Sequence, residues 1–102
     1  MMQLTIIGFG NQARSWALNL RDSGFPVKVA LRHGSVSFAE VTKERLPSVE
    51  IGSEEFYQSE ALALLIPDDG QKNFLDTHAG KFLNNPIILY AHGFALCVIQ
   101  RG

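Results

Sequence analysis

An apolar run, a glycine-rich turn and an amphipathic helix follow one another near the amino terminus, and this stretch restricts most strongly how the chain folds. Residues 4–7 form the apolar run, and the turn has the spacing G-x-G-x-x-A, with Gly8, Gly10 and Ala13 at the three marked positions. The first glycine permits a sharp turn, the second lets backbone approach a phosphate, and the small third residue allows a helix to pack closely on a strand. The spacing predicts a dinucleotide-binding turn, and an ordinary tight turn is the alternative.

The helix after the turn strengthens the first of these interpretations. Ala13, Trp16, Ala17 and Leu20 recur at helical spacing, and Gly24 stands where such a helix ends. The turn therefore leads into a helix amino terminus, where unpaired backbone N–H groups and the positive end of the helix dipole favour an anion. A pyrophosphate is such an anion.

Strand patterns and helix patterns alternate along the remainder of the chain. Short apolar runs bounded by turn residues predict strands, and a short helix capped by Ser53 precedes the fourth of them. The predicted strands cover residues 1–7, 27–31, 48–51, 61–66 and 87–90, the longer helices cover 11–23, 37–46 and 70–79, and residues 95–99 form either a sixth strand or the start of a helix. This order predicts one α/β domain over residues 1–102, a doubly wound parallel sheet of the Rossmann type with five or six strands.

The composition excludes several classes of partner. A net charge of −1 without a basic run argues against nucleic acid, and no apolar run reaches the length needed to cross a membrane. The amino terminus lacks the pattern of a secretory leader, so we expect a cytoplasmic protein. Cys97 is the sole cysteine, which excludes an internal disulfide.

The residues after the second predicted strand bear on which dinucleotide would bind. Rossmann domains that bind NAD carry an acid about twenty positions past the glycines, and this chain has none there. It has Arg32, then Ser35 and Ser37 around Gly34. A guanidinium and two hydroxyls suit a 2′-phosphate, which favours NADP(H) over NAD(H). The alternative is that Arg32 is a solvated charge and one serine caps the next helix.

Two further groups follow strands at the edge of the sheet where ligands bind in such folds. Asp68 and Asp69 come after the fourth predicted strand and are either ligand contacts or helix caps; without further carboxylates they are poor metal ligands. His92 follows the fifth strand, and there it either exchanges a proton with a substrate or hydrogen-bonds a cofactor. His78, on the predicted helix 70–79, is expected at the surface or an interface.

Several of these segments, taken together, resemble one family. Residues 8–24, 31–35, 65–69 and 91–94 resemble, in order and spacing, the amino-terminal NADP-binding domain of ketol-acid reductoisomerase, and the resemblance covers almost the whole chain. That family uses NADPH and magnesium to isomerise and reduce acetohydroxy acids on the route to branched-chain amino acids. The resemblance implies a cofactor site and a histidine of the active site, His92. The implied cofactor contacts are Phe9, Gly10, Asn11, Gln12, Arg32, Ser35, Ser37, Asp68, Asp69, Gly70 and Gln71, beside Gly8 of the turn.

The same resemblance sets limits on what the chain does alone. Family members hold magnesium and substrate on a carboxyl-terminal helical domain, which residues 1–102 do not include, so we expect no metal site here. We therefore expect an NADP(H)-binding domain of an oxidoreductase, truncated and inactive alone unless a separate chain supplies the missing domain. The alternatives are an independent NADP(H) sensor or interaction module, in one form a homodimer, and a structural remnant that binds no nucleotide.

Overall fold

A computed structural model of the chain describes residues 2–66, 68–92 and 95–100, with residues 68, 69, 91, 92 and 95–100 described as backbone only. Strands and helices alternate through the first five strands. The elements are β1 Leu4–Ile7, α1 Asn11–Asp22, β2 Val27–Leu31, α2 Ser37–Lys43, β3 Ser48–Glu50, α3 Glu54–Tyr57, β4 Ala61–Leu64, α4 Asp68–His78, a 3₁₀ turn Ala79–Lys81, β5 Ile87–His92 and β6 Ala95–Gln100. Within the described ranges, no helix is long and apolar enough to span a membrane.

The strands form one sheet in the order β3-β2-β1-β4-β5-β6. The first five strands of the sequence are parallel, as predicted, and β6 runs antiparallel to β5. Only two residues separate β5 from β6 in the sequence, which is too few for the crossover that a parallel neighbour requires. The sixth segment is therefore a strand, and it departs from the purely parallel arrangement.

Helices cover both faces of the sheet, which confirms the doubly wound architecture. On one face, Ala13 and Ala17 of α1 and Val41 of α2 pack in a buried cluster with the strands. On the other face, Phe56 of α3 and Phe74 of α4 pack in a second cluster. Helix α3 packs on the opposite face of the sheet from α1 and α2, and the strand that follows it, β4, lies on the other side of β1 from β2. The order of strands consequently reverses between β1 and β4, and ligands bind at such a reversal in open α/β sheets.

Two helix ends illustrate how local chemistry sets the boundaries. Helix α1 ends at Asp22, and the chain leaves it through Gly24, which adopts φ of 81°, as its position in the sequence predicts. Helix α2 ends at Lys43, three residues before the predicted end, because Arg45 adopts a left-handed conformation with φ of 60°. The N–H of Leu46 then bonds back to the carbonyl of Val41 at 3.1 Å and closes the helix. A non-glycine residue at this position leaves little signal in a sequence.

The predicted cap of α3 is confirmed. The hydroxyl of Ser53 accepts a hydrogen bond from the N–H of Phe56 at 3.2 Å, and Glu54 and Glu55 occupy the first turn. Helix α4 begins at Asp68, two residues earlier than predicted, and follows β4 closely. Both helices therefore start at or near the edge where the parallel strands end.

Candidate nucleotide site

The turn between β1 and α1 requires a glycine at position 8 for reasons internal to the protein. Gly8 has φ of 88°, a conformation that side chains disfavour, and a Cβ built there would lie 3.4 Å from Cγ2 of Ile66. Its N–H donates to the carbonyl of Ala30 at 2.9 Å, which joins the turn to the end of β2. Gly8 thus fixes the path of the chain at the point where the strand order reverses.

Gly10 differs from Gly8, because nothing in the described protein requires a glycine there. It is the N-cap of α1 with φ of −70° and ψ of −176°, values that any residue adopts. A Cβ built on it would meet no atom within 4 Å. The missing side chain therefore leaves open space beside the helix start.

The amino terminus of α1 is also open electrostatically. No side chain caps it, and its first turn carries no acid. The N–H groups of that turn have no partner within an α-helix, and the helix dipole places partial positive charge at the same end. Open space and unsatisfied donors together make a site for an anion.

This helix start borders a cleft of about 600 Å³ at the carboxyl ends of the central strands. Seven of the residues predicted to bind cofactor line it: Gly8, Phe9, Gly10, Arg32, Ser35, Ser37 and Gly70. The side chain of Phe9 is mostly buried in the α1 cluster, at 8% exposure. The turn after β1, the loop after β2 and the start of α4 therefore form three walls of one cleft, and their contacts with a cofactor stay a prediction.

The remaining predicted residues are placed differently. Asn11 and Gln12 are exposed in the first turn of α1 and do not line the cleft. Gln71 is buried, and its side-chain amide donates to the carbonyl of Ile66 at 2.9 Å, which steadies the segment after β4. Asp68 and Asp69 begin α4, and their side chains lie outside the described residues.

His92 is the last residue of β5. Tyr90 pairs with Leu64 of β4, so the backbone of His92 extends two residues beyond that level, at the same edge of the sheet as the cleft. Its side chain lies outside the described residues. Its role in catalysis stays a prediction.

Arg32 presents an exposed cation at the cleft. Within the described part of the chain, its guanidinium has no hydrogen-bond or ion-pair partner. Arg14, by contrast, pairs with Glu40 at 3.2 Å and with Glu44 at 3.6 Å. Arg32 is therefore available to an anionic ligand.

The loop after β2 holds the two predicted serines beside that cation. The N–H of Ser35 donates to the carbonyl of Arg32 at 3.0 Å, and the hydroxyl of Ser35 accepts from the N–H of Ser37 at 3.2 Å. Gly34, with φ of 74°, permits this turn. The neighbouring His33 contacts the carboxylate of Glu50 through Nδ1, so Glu50 is paired with His33 and not with Arg32. The loop thus combines a free guanidinium with two hydroxyls.

The structure adds a fourth wall that the sequence analysis missed. Asn73, Phe74, Thr77 and His78 of α4 line the cleft, together with Ile51 after β3. The four α4 positions follow Gly70 at intervals of three to four residues, so they share one face of the helix. The sequence could have indicated these four residues through that spacing, because Gly70 already stood at the edge of the sheet where a ligand was predicted to bind.

His78 lies at the end of this wall and is partly exposed there. Its Nδ1 lies 2.7 Å from the hydroxyl oxygen of Tyr57. Burial of the ring, and secondarily the positive charge of Lys81, lower the pKa of His78 below its ordinary value. The imidazole is therefore favoured in its neutral form at neutral pH.

Among the described side chains, no group of three or more histidine, cysteine, aspartate or glutamate residues lies close enough together to hold a metal ion.

Comparison with known proteins points to one family. Residues 1–100 match the family described as acetohydroxy acid isomeroreductase, NADPH-binding domain. Among curated proteins, the chain is similar to the ketol-acid reductoisomerase (NADP(+)) of Helicobacter pylori strain J99, with 38% identity over 96 residues, 93% of this chain and 29% of that protein. It is also similar to the protein of the same name from Beutenbergia cavernae, with 34% identity over 90% of this chain and 27% of that protein. The chain thus spans less than a third of the length of these relatives.

A solved structure supports the fold independently. An NADH-preferring ketol-acid reductoisomerase from an uncultured archean superposes with a TM-score of 0.76 and 19% sequence identity, over 91% of this chain and 30% of that one. At this identity, the likeness concerns the arrangement of strands and helices.

Proposed function

Because the chain belongs to the family of acetohydroxy acid isomeroreductase NADPH-binding domains, we propose that it binds NADP(H) in the cleft at the start of α1. The single observation that carries this proposal is Gly10. Its backbone is ordinary, no protein atom occupies the space its side chain would take, and it caps a helix whose first amides lack a side-chain partner. A pyrophosphate would fill that space and accept from those amides.

The loop after β2 would hold the 2′-phosphate that distinguishes NADP from NAD. Arg32 would pair with this dianion, and the hydroxyls of Ser35 and Ser37 would hydrogen-bond it. The absence of a partner for Arg32 within the described residues supports this assignment, because an isolated arginine can engage a ligand without first breaking an ion pair. The same loop lacks the acid that would repel a phosphate.

We further propose that the chain is the cofactor half of a ketol-acid reductoisomerase. When bound, NADPH supplies a hydride to a carbonyl carbon of the substrate. The residues of this chain would bind and orient the dinucleotide, and His92 would stand at the edge of the sheet where the substrate meets it. Magnesium and substrate would be held by residues beyond this segment or by another chain, so we expect residues 1–102 to be inactive alone.

Binding is tested by titrating the purified chain with NADPH and NADH, by calorimetry and by thermal unfolding. At a free NADPH concentration of about one hundred times its Kd, the free energy of unfolding should rise by about 2.7 kcal/mol. That increase corresponds to a rise in Tm on the order of 10 °C. NADH, which lacks the 2′-phosphate, should give a smaller rise at the same concentration.

The outcomes distinguish the proposal from its alternatives. Absence of a shift with either nucleotide would contradict the proposal and favour a structural remnant. Tight binding with no NADPH oxidation, when an acetohydroxy acid and magnesium are added, agrees with a cofactor domain that needs a further segment. Oxidation of NADPH under the same conditions would refute the expectation that the chain is inactive alone.

A further inference from the structure

The fourth wall of the cleft contains a histidine, His78, whose two ring nitrogens differ in their hydrogen bonding. Nδ1 of His78 lies 2.7 Å from the hydroxyl of Tyr57, whereas Nε2 has no hydrogen-bond partner within the described part of the chain. Every buried side-chain nitrogen or oxygen atom described in the structure does have a partner. Nε2 is therefore not a buried orphan, and it is the ring nitrogen without a partner on a histidine that lines the cleft.

The contact with Tyr57 favours one tautomer of the neutral ring over the other. A phenol is a good donor and an unprotonated imidazole nitrogen a good acceptor, so the favoured arrangement has Tyr57 donating to Nδ1. In the neutral ring the proton then resides on Nε2. The cleft consequently presents a fixed, uncharged N–H donor at this wall.

The surroundings of the ring hold it in this orientation and in this state. Its centroid lies 4.8 Å from that of Phe74 and 5.8 Å from that of Phe56, both buried residues of the second core cluster. Burial and then Lys81 disfavour the protonated form. Among the described residues, Lys81 and Tyr57 are ionisable groups that interact with this ring.

An uncharged donor among apolar neighbours suits a different part of the ligand from the phosphates. The phosphates of a dinucleotide match the start of α1 and the Arg32 loop, where the positive charge lies. The fourth wall offers Ile51 and Phe74 as apolar surface and His78 as donor. A purine base has apolar faces and ring nitrogens that accept hydrogen bonds, so it matches this wall.

We propose that His78 binds the adenine ring of the dinucleotide by donating from Nε2 to a ring nitrogen, and that Tyr57 is the positioning residue that holds the required tautomer. This inference rests on the proposed function, because it assumes that NADP(H) occupies the cleft. It makes His78 a determinant of base recognition, separate from the phosphate recognition assigned to Arg32. The two roles predict different patterns of binding.

The test measures the Kd of NADPH, NADH and adenosine 2′,5′-bisphosphate, by calorimetry, for the 102-residue chain and four variants. His78→Leu removes the donor, His78→Gln retains an amide N–H near the position of Nε2, and Tyr57→Phe removes only the hydroxyl that sets the tautomer. Phe82→Leu is the control, because Phe82 packs against Phe56 and Tyr57 at centroid distances of 5.2 and 5.3 Å but does not line the cleft. Thermal unfolding of each variant verifies that it is folded at the temperature of the titration.

We expect His78→Leu to weaken all three ligands by about three- to tenfold, the range expected for one hydrogen bond. The ratio of the NADPH and NADH constants should stay the same, because both nucleotides carry adenine. His78→Gln should recover much of the affinity, Tyr57→Phe should lose about two- to fivefold, and Phe82→Leu should bind like the unmodified chain.

Other outcomes would overturn the inference. If NADPH binds the unmodified chain and the His78→Leu variant with the same affinity, the role of His78 is refuted while the proposed function stands. A change in the NADPH to NADH ratio on His78→Leu would assign His78 to the 2′-phosphate and equally refute base recognition. If no nucleotide binds the unmodified chain, the proposed function fails and this inference fails with it.

Discussion

At the scale of single residues, the two glycines of the turn serve different purposes. Gly8 adopts a left-handed conformation and approaches Ile66, so the protein itself needs it. Gly10 has an ordinary conformation and an open environment, so the described protein does not require a glycine there, and we propose that a ligand does. Replacing Gly8 should therefore lower the stability of the fold, whereas replacing Gly10 should weaken nucleotide binding and leave stability nearly unchanged.

Replacing Gly10 by alanine should change the free energy of unfolding by less than about 1 kcal/mol, because the backbone is compatible and the added methyl meets no protein atom. The same methyl would stand where the pyrophosphate is proposed, so the Kd of NADPH should rise at least about tenfold, or 1.4 kcal/mol. Gly8→Ala is the matched variant and should destabilise the fold by about 1–2 kcal/mol, since φ of 88° is unfavourable for alanine. Denaturant unfolding and calorimetric titration measure the two effects. Unchanged NADPH binding by Gly10→Ala would argue against phosphate at this position.

Arg32 is the residue on which the choice of nucleotide should depend. Arg32→Glu removes the guanidinium and introduces a charge that repels a 2′-phosphate, so the Kd of NADPH should rise by about ten- to a hundredfold while that of NADH changes little. The preference for NADPH should be lost or reversed. Arg45→Glu is the control, because Arg45 is also exposed but lies at the end of α2, away from the residues that line the cleft. If both variants raised the Kd of NADPH equally, Arg32 would act only through the net charge of the protein and not through a direct contact with the 2′-phosphate.

At the scale of elements, the single turn of α3 depends on contacts outside itself. An isolated helix of four residues is not stable, so Glu54–Tyr57 requires the Ser53 cap and tertiary packing. Phe56 supplies that packing, because it is fully buried and its ring contacts those of Tyr57, Phe74, His78 and Phe82. The contacts of Phe56 with Phe74 and His78 join α3 to α4 and so support the fourth wall of the cleft.

Phe56→Ala should accordingly destabilise the protein by about 3–5 kcal/mol, the usual result of removing a buried aromatic ring. Leu83→Ala is a suitable control, because Leu83 is 70% exposed and its truncation should alter stability by no more than about 0.5 kcal/mol. Urea unfolding monitored by circular dichroism gives both values. Similar small effects from the two variants would show that α3 is held by other contacts.

At the scale of the whole molecule, the protonation of His78 is coupled to folding. Its pKa in the folded protein is lowered, first by burial and then by Lys81, whereas in the unfolded chain a histidine titrates near 6.5. Between these two pKa values the unfolded state binds more protons than the folded state, so stability decreases as pH falls. The contribution of His78 is therefore fully present above about pH 6.5 and is lost as pH falls through the folded pKa.

We expect the Tm of the protein to decrease between pH 7.5 and pH 5, and His78→Gln to reduce the slope of that decrease, because glutamine does not titrate. Differential scanning calorimetry of both proteins across this range measures the slopes. The comparison uses the difference between slopes, so any constant loss of stability in the variant does not affect it. Parallel curves would mean that His78 does not titrate differently in the two states.

Local patterns were sufficient to predict the strand, turn and helix at the amino terminus, the order of the elements and seven residues of the cleft. Glycine spacing, helical periodicity and the cap at Ser53 act over a few residues, so the sequence alone displays them. The fourth wall was missed although its α4 residues share a helix face with Gly70, because the packing of α4 on the sheet decides which of its faces borders the cleft and brings Ile51, from after β3, beside it. The left-handed end of α2 at Arg45 and the antiparallel direction of β6 were likewise decided by packing and chain closure. The sequence by itself determined the glycine turn and the helix start at which we propose that an anion binds, and the tertiary structure decided which side chains surround them, because only folding brings together residues that share no local pattern.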